Sequence, residues 1–306
     1  MTSFVVTALE AAGASPASAD PSAATRSLIE FVHTGARQLG AHVATCSRHG
    51  AGVRAQLEDD APEPARARAV RLRQAIAAAA AAAGHPLDLA VQPAELRRPP
   101  RLVVFDMDST LITIEVIDEL ARRHGVGAEV AAVTERAMRG ELDFEASLRA
   151  RVQKLAGLPA AALEEVAAAI QLSPGAESLI SAMQARGAAV AIASGGFSFA
   201  ADLLRRRLGL VAAYSNQLEL ASGVVTGRVL GGVVTAERKA EVVRELALAG
   251  GCSPADAIAI GDGANDRLML AAAGLGVAFH AKPALAQVAD ATIDHGGLER
   301  VLAMVD

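Results

Sequence analysis

Three short runs constrain what this chain can fold into more than any other feature. Residues 102–105 (LVVF), 189–193 (AVAIA) and 257–260 (AIAI) are almost wholly apolar. Each breaks at once into small and acidic residues: Asp106-Met107-Asp108, Ser194-Gly195-Gly196 and Gly261-Asp262-Gly263. A strand with no polar face is one buried on both sides, as in a parallel sheet. The stretches between the runs have helical periodicity, so strands and helices alternate, and the fold class is α/β with helices on both faces of the sheet. Open sheets of this kind bind ligands beyond the carboxyl ends of their strands. Polar residues gather at that end three times, which places a site there.

The rest of the second part is organised around this sheet. Residues 115–124, 128–138, 144–155 and 160–170 have helical spacing and are separated by Gly125, Gly140 and Gly157-Leu158-Pro159. One crossover helix would suffice, so the excess at 115–172 reads as a helical-bundle cap inserted above the strand ends. Residues 217–235 alternate Val and Leu with small residues around Ser222-Gly223, the pattern of a hairpin flap. The first part differs. A strand at 4–9, a helix at 23–39, two strands at 42–47 and 52–57 about a turn, a helix at 64–83 and a strand at 87–91 give the order βαββαβ. Pro93 and Pro99-Pro100 then break structure, so a linker is expected at 92–100. Two units follow, 1–97 and 98–306.

Composition removes several alternatives. With 306 residues, 52% hydrophobic and 21% charged, the chain is too apolar for disorder. Its longest low-complexity apolar run, residues 75–83, falls short of the roughly 20 residues a bilayer span needs. The N-terminus has no basic head before its apolar patch, so no secretory leader is expected. Cys46 and Cys252 form no disulfide framework, and the expected compartment is the cytoplasm. Aromatic residues make up 3%, Trp is absent and the net charge is -5, which argues against a nucleic-acid partner. No membrane partner is expected either. The acidic excess falls in residues 101–306, with 19 basic and 25 acidic side chains, and suits a cation held by carboxylates.

Asp106 and Asp108 stand two apart at a strand end, so their side chains can share one side. Such a pair is costly to ionise unless a cation or a proton-transfer task is present. Alone, the pair fits a solvated turn equally well. The full string Val103-Val-Phe-Asp-Met-Asp-Ser-Thr-Leu111 resembles the first motif of the haloacid dehalogenase-like phosphohydrolases. Ser194 with two glycines, Lys239 at a helix start and Gly261-Asp-Gly-Ala-Asn-Asp266 resemble the next three motifs, in the same order. The likeness is strongest to members that act on O-phospho-L-serine. It covers about 101–301, including Glu115-Val-Ile-Asp-Glu-Leu120 and Phe144-Glu-Ala-Ser-Leu-Arg-Ala-Arg-Val152 in the cap.

The resemblance implies a Rossmann-like core, a helical cap and Mg2+ as cofactor. It makes Asp106 the nucleophile that becomes an aspartyl phosphate, and Asp108 the general acid and base. Ser194, Gly195 and Lys239 would bind the phosphoryl oxygens, and Asp106, Asp108 through its carbonyl, and Asp262 would hold the metal. In the cap, Glu115 would face the substrate ammonium and Arg151 its carboxylate, the latter suited by its planar fork. Met138, Phe144 and Phe197 would close the pocket, while Asn265 and Asp266 would position Asp262 and the metal waters. His124, His280 and His295 sit in no motif and read as surface or packing residues.

The implied reaction is hydrolysis of the small molecule O-phospho-L-serine to serine and phosphate. Phosphothreonine or homoserine phosphate are alternative substrates. An amino-acid-binding regulator with a decayed phosphatase unit is the alternative from another class; the intact set Asp106, Asp108, Ser194, Lys239 and Asp262 argues against it. Asp108 also argues against a dehalogenase. The βαββαβ order of residues 1–97 resembles an ACT domain, a ferredoxin-like α+β module that binds amino acids, often at a dimer interface, so a homodimer through this unit is open. In place of a glycine turn after its first strand stands Gly13-Ala-Ser-Pro-Ala-Ser-Ala-Asp-Pro21, a longer loop.

Overall fold

The computed structural model describes residues 1–10 and 21–306, with the backbone alone for 21–23. The unusual loop 13–21 lies outside the described residues, save for Pro21. The chain begins with β1 (Thr2–Glu10), α1 (Pro21–Gln38), β2 (His42–His49), β3 (Gly52–Asp59), α2 (Ala65–Ala82) and β4 (Leu87–Pro93). These strands are antiparallel in the order β2-β3-β1-β4, the ferredoxin-like arrangement. Alternation fixes which face is covered. Phe4, Val6 and Ala8 of β1 pack with Leu57, Leu89 and Val91 against Leu28 and Val32 of α1 and Leu72 and Ile76 of α2. The two helices cross so closely that a Cβ at Gly35 would lie 2.5 Å from the Ile76 backbone nitrogen.

After a 3-10 turn at 94–96 come β5 (Leu102–Phe105), α3 (Val116–His124), α4 (Gly127–Met138), α5 (Phe144–Lys154), α6 (Ala160–Ala169) and α7 (Ala176–Ala185). Then follow β6 (Ala189–Phe197), α8 (Ser198–Leu208), β7 (Ala212–Ala221), β8 (Val224–Leu230), α9 (Ala236–Ala249) and β9 (Ala257–Gly261). The chain ends with α10 (Arg267–Ala272), β10 (Leu275–Phe279), α11 (Pro283–Ala286), β11 (Ala291–Ile293) and α12 (Arg300–Val305). The strand order is β11-β10-β9-β5-β6-β7-β8, parallel throughout except for β8. β5 is central and buried on both faces. Val103 and Phe105 join the core shared with α7, α8 and α12, whereas Leu102 and Val104 meet α9 and α10. That two-sided burial is why the run reads LVVF with no polar alternation.

Helices α3 to α6 form the cap between β5 and β6, held by Val116, Ile117, Leu120, Leu148, Val152, Leu163 and Val166. The β7–β8 hairpin turns at Ser222 (φ 51) and Gly223 (φ 78), the paired positive φ values of a tight hairpin turn. It is no free flap. Gly157 and Ala160 donate to the carbonyls of Val225 and Gly223, and Val225 donates to that of Leu158, so the hairpin is stitched to the α5–α6 loop.

The linker at 92–100 separates the two parts in sequence but not in space. β4 pairs antiparallel with β11, Ala90 with Ala291 and Leu89 with Thr292, so the strands make one sheet of eleven. Polar groups reinforce the seam. Asp88, fully buried, accepts from the backbone N–H of Asp294 and His295 at 2.8 and 2.9 Å, and Arg66 of α2 donates to Asp290.

Candidate active site

The site begins where β5 runs out. Asp106 is extended (φ -66, ψ 157) and its Oδ1 accepts from the Met107 N–H at 2.7 Å. The chain then coils through 107–111, with Ser109 at φ 56, and closes with Ile112 N–H donating to the Met107 carbonyl. A non-glycine residue in the left-handed region is a strained choice that tends to mark functional backbone. This coil turns Asp106 and Asp108 back over the strand end.

Three carboxylates meet there. Asp106, Asp262 and Asp266 each place an oxygen within 4.8 Å of the others, and all are buried. Lys239, on the first turn of α9, reaches Asp106 at 2.9 Å and Asp266 at 2.7 Å and has no exposed surface. Burial works against the Lys239 charge, but Asp106 and Asp266 outweigh it and hold the ammonium protonated. Burial and the repulsion of Asp106 push Asp262 up to about 6, and push Asp266 upward as well. One ammonium serves three carboxylates, so the fully ionised cluster carries two surplus negative charges in a poorly solvated place. All the free donors are carboxylate oxygens, the ligand set of a hard divalent cation such as Mg2+. The residues therefore fit the metal that the sequence suggested. Asp266 takes Lys239 and the N–H groups of Asp262 and Gly263 at 3.2 and 3.0 Å, and Asp106 takes Lys239 and the Met107 N–H, so Asp262 is the carboxylate of the three least engaged by the protein.

Asp108 lies at the mouth of this cluster. Burial first, then the charges of Glu115 and Asp106, push its carboxyl well above the usual carboxylate range. A carboxyl pushed in that direction holds a proton more readily than an ordinary one, the property a general acid needs. Its Oδ1 is buried with no hydrogen-bond partner among the described residues. Ser194, at the end of β6, accepts from the Gly196 N–H at 2.9 Å, which leaves its own hydroxyl proton to donate. Glycine is required beside it: a Cβ at Gly196 would come 2.6 Å from Asp108 Oδ2, and one at Gly195 2.6 Å from the Phe144 ring.

From the cap, Glu115 Oε1 accepts from the Ser109 hydroxyl at 2.9 Å. Arg151 is half-buried, its Nε has no acceptor, and the charges of Glu115, Asp118 and Asp108 all act on it. An ammonium acceptor and an unpartnered guanidinium thus flank Asp108. Phe144 reaches the glycine loop, and Phe197 is buried in the core. Asn265 lies beside Gly263. Met138 is 74% exposed at the last turn of α4 and is not drawn into this cluster. Among the histidines, His124 and His280 bond to backbone carbonyls, of Ala156 and Gly296.

Sequence reasoning missed one member, Thr110, and one pairing, that of Lys239 with Asp266. Thr110, fully buried, donates to Asp262 Oδ1 at 3.2 Å, and Asp266 pairs directly with Lys239. Thr110 lies inside the first motif, so its position was a signal. The Lys239–Asp266 pairing joins residues 27 apart and had none.

The haloacid dehalogenase-like hydrolase pattern matches residues 100–274. The chain belongs to that family of hydrolases. It is 49% identical over 213 residues to a phosphoserine phosphatase of Archaeoglobus fulgidus, covering 69% of this chain and 62% of that one. In structure it resembles a probable phosphoserine phosphatase from Vibrio cholerae, with TM-score 0.72, 36% identity, and 99% and 86% of the two chains covered. It also resembles a haloacid dehalogenase family hydrolase from Salmonella enterica, with TM-score 0.80, 28% identity, and 100% and 99% covered. The chain spans 54% to 63% of the length of the first curated relatives it matches. No helix among the described residues is long and apolar enough to cross a membrane.

Proposed function

We propose that this chain is a Mg2+-dependent phosphomonoesterase that hydrolyses O-phospho-L-serine to L-serine and phosphate. One observation carries the chemistry: buried Asp106, held by Lys239 within a cluster of buried carboxylates; burial and the charges of Glu115 and Asp106 favour the protonated form of Asp108. The substrate assignment is supported by the likeness to phosphoserine phosphatases and by Glu115 and Arg151, which suit an ammonium and a carboxylate.

In the first step the Asp106 carboxylate attacks phosphorus, and the ester oxygen leaves with the Asp108 proton. Asp108, now ionised, then takes a proton from water as the water oxygen displaces Asp106 and releases phosphate. Such acid and base assistance typically contributes about 10^2 to 10^4 in rate. Lys239 and the Ser194 hydroxyl donate to the phosphoryl oxygens, where charge builds up in the transition state. Mg2+ held by Asp106 and Asp262, with the Asp108 carbonyl, would neutralise the repulsion between a carboxylate and a phosphate dianion. Arg151 and Glu115 orient the amino-acid end, and Phe144 packs over the glycine loop to exclude water.

The N-terminal unit, residues 1–97, is proposed as an ACT-like module that binds serine or joins two copies of the chain. The reaction is proposed to take place in the cytoplasm. Asp106→Asn tests the chemistry: it should fold, yet release no phosphate and form no phosphoenzyme detectable by mass spectrometry, and retained turnover would falsify the nucleophile. A panel of phosphoserine, phosphothreonine, homoserine phosphate and sugar phosphates tests the substrate. Equal rates across the panel refute an amino-acid phosphatase.

A further inference from the structure

Asn216 lies on β7, outside all the motifs above, and is 1% exposed. Its side-chain amide is engaged at both ends. Nδ2 donates to the Gly195 carbonyl at 2.7 Å, and Oδ1 accepts from the Val234 N–H at 2.8 Å. The orientation of the amide is fixed, because one neighbour can only accept and the other only donate.

Each bond leads to a group that binds the phosphoryl oxygens. The Gly195 carbonyl and the Gly196 N–H belong to one planar peptide unit, so holding the carbonyl aims the N–H. That N–H is the one that donates to Ser194 Oγ, and it leaves the hydroxyl proton free to donate to another group. On the other side, Val234 precedes Thr235, whose hydroxyl caps α9 and whose carbonyl accepts from Lys239 N–H at 3.0 Å. β7 thus sets two separate chain segments by one buried side chain.

We infer that Asn216 is a positioning residue for phosphoryl binding, orienting the Ser194 hydroxyl through the Gly195–Gly196 peptide and fixing the start of the Lys239 helix through Val234. This rests on the phosphatase reading above. Both of its bonds go to backbone groups, so Asn216 acts through them. Its effect falls on the phosphoryl end, not on the amino-acid end that Glu115 and Arg151 hold.

The test uses Asn216→Asp, which is isosteric and keeps the acceptor for Val234 while losing the donor to Gly195. It should lower kcat and weaken inhibition by inorganic phosphate, each about tenfold, the scale of one lost hydrogen bond to a positioned group. In a Ser194→Ala background the same substitution should cost less than about threefold, since the group it positions is gone. A merely structural role would give equal losses in both backgrounds, and that result, or an unchanged kcat, overturns the inference. If Asn216→Asp does not fold, Asn216→Ser, which keeps one donor and one acceptor on a smaller side chain, is run through the same two backgrounds with the same criterion. Failure of the phosphatase reading is distinguishable: the unmodified chain itself would then release no phosphate from phosphoserine.

Discussion

Lys239→Met in the metal-free protein isolates the electrostatic bargain at the centre of this site. Lys239 has no exposed surface and contacts Asp106 at 2.9 Å and Asp266 at 2.7 Å. Methionine fills a similar volume, so the packing term is small and the change is one of charge. Removing one partner of a buried pair costs about 3–5 kcal/mol, because the other charge is left without compensation. Here two carboxylates are orphaned beside a third, Asp262, which makes the upper part of that range the expectation. At about 2–4 °C per kcal/mol for a unit of this size, the melting temperature should fall by about 8–20 °C. The loss depends on pH. Burial and Asp106 already push the Asp266 carboxyl upward against the opposing pull of Lys239, and without the ammonium it rises further, so the penalty is full at high pH and shrinks as pH falls through the folded value. Scanning calorimetry in EDTA at about pH 8 and about pH 5 reads both effects. Added Mg2+ should raise the melting temperature more in the variant than in the parent, since the cation then faces one more negative charge. A metal-free variant melting within about 2 °C of the parent at high pH would show that Lys239 does not balance the cluster, and would sink the charge count used to argue for a divalent ion.

Two further outcomes follow from the same geometry. Burial and Asp106 set Asp262 at about 6 in the absence of metal, so protons compete for the ligand below that pH. Mg2+ affinity measured by calorimetry should be flat above about pH 7 and weaken by up to about tenfold per pH unit below about 6, whereas no dependence would remove Asp262 from the ligand set. Arg151→Met should raise the KM for phosphoserine by about tenfold or more with a smaller change in kcat, while an aryl phosphate lacking the amino-acid end loses little. Equal losses on both substrates would mean that Arg151 supports the cap and does not read the carboxylate.

The parts of this molecule that were legible in the sequence are those whose cause is local. β5 could be read because a strand buried on both faces must be apolar at every position, and the site beside it because chemistry clusters where such strands end. The cap helices could be read from their spacing, and the hairpin turn from Ser222-Gly223, whose positive φ values few residue pairs tolerate. The seam between the two units could not. β11 is only three residues long, too short for any period to register, and its pairing with β4 joins segments about 200 residues apart. In β4 the polar residues Asp88 and Gln92 are both buried, against what their polarity alone suggests. Asp88 is there because Asp294 and His295 would otherwise leave two backbone N–H groups unpaired.

Asn216 and the Lys239–Asp266 pair are illegible for the same reason as the seam: each is a single side chain meeting a distant segment, with no neighbour in sequence to announce it. The active site therefore has two layers of differing visibility. The groups that touch phosphate stand in motifs, because the strand end dictates their spacing. The group that aims Ser194, Asn216 on the Gly195 carbonyl, is dictated by packing between strands and appears only in three dimensions. Catalytic power that depends on orientation is consequently set by residues that a motif does not contain, which is why substitution at Asn216, outside every motif, is expected to change phosphoryl binding before it changes the fold.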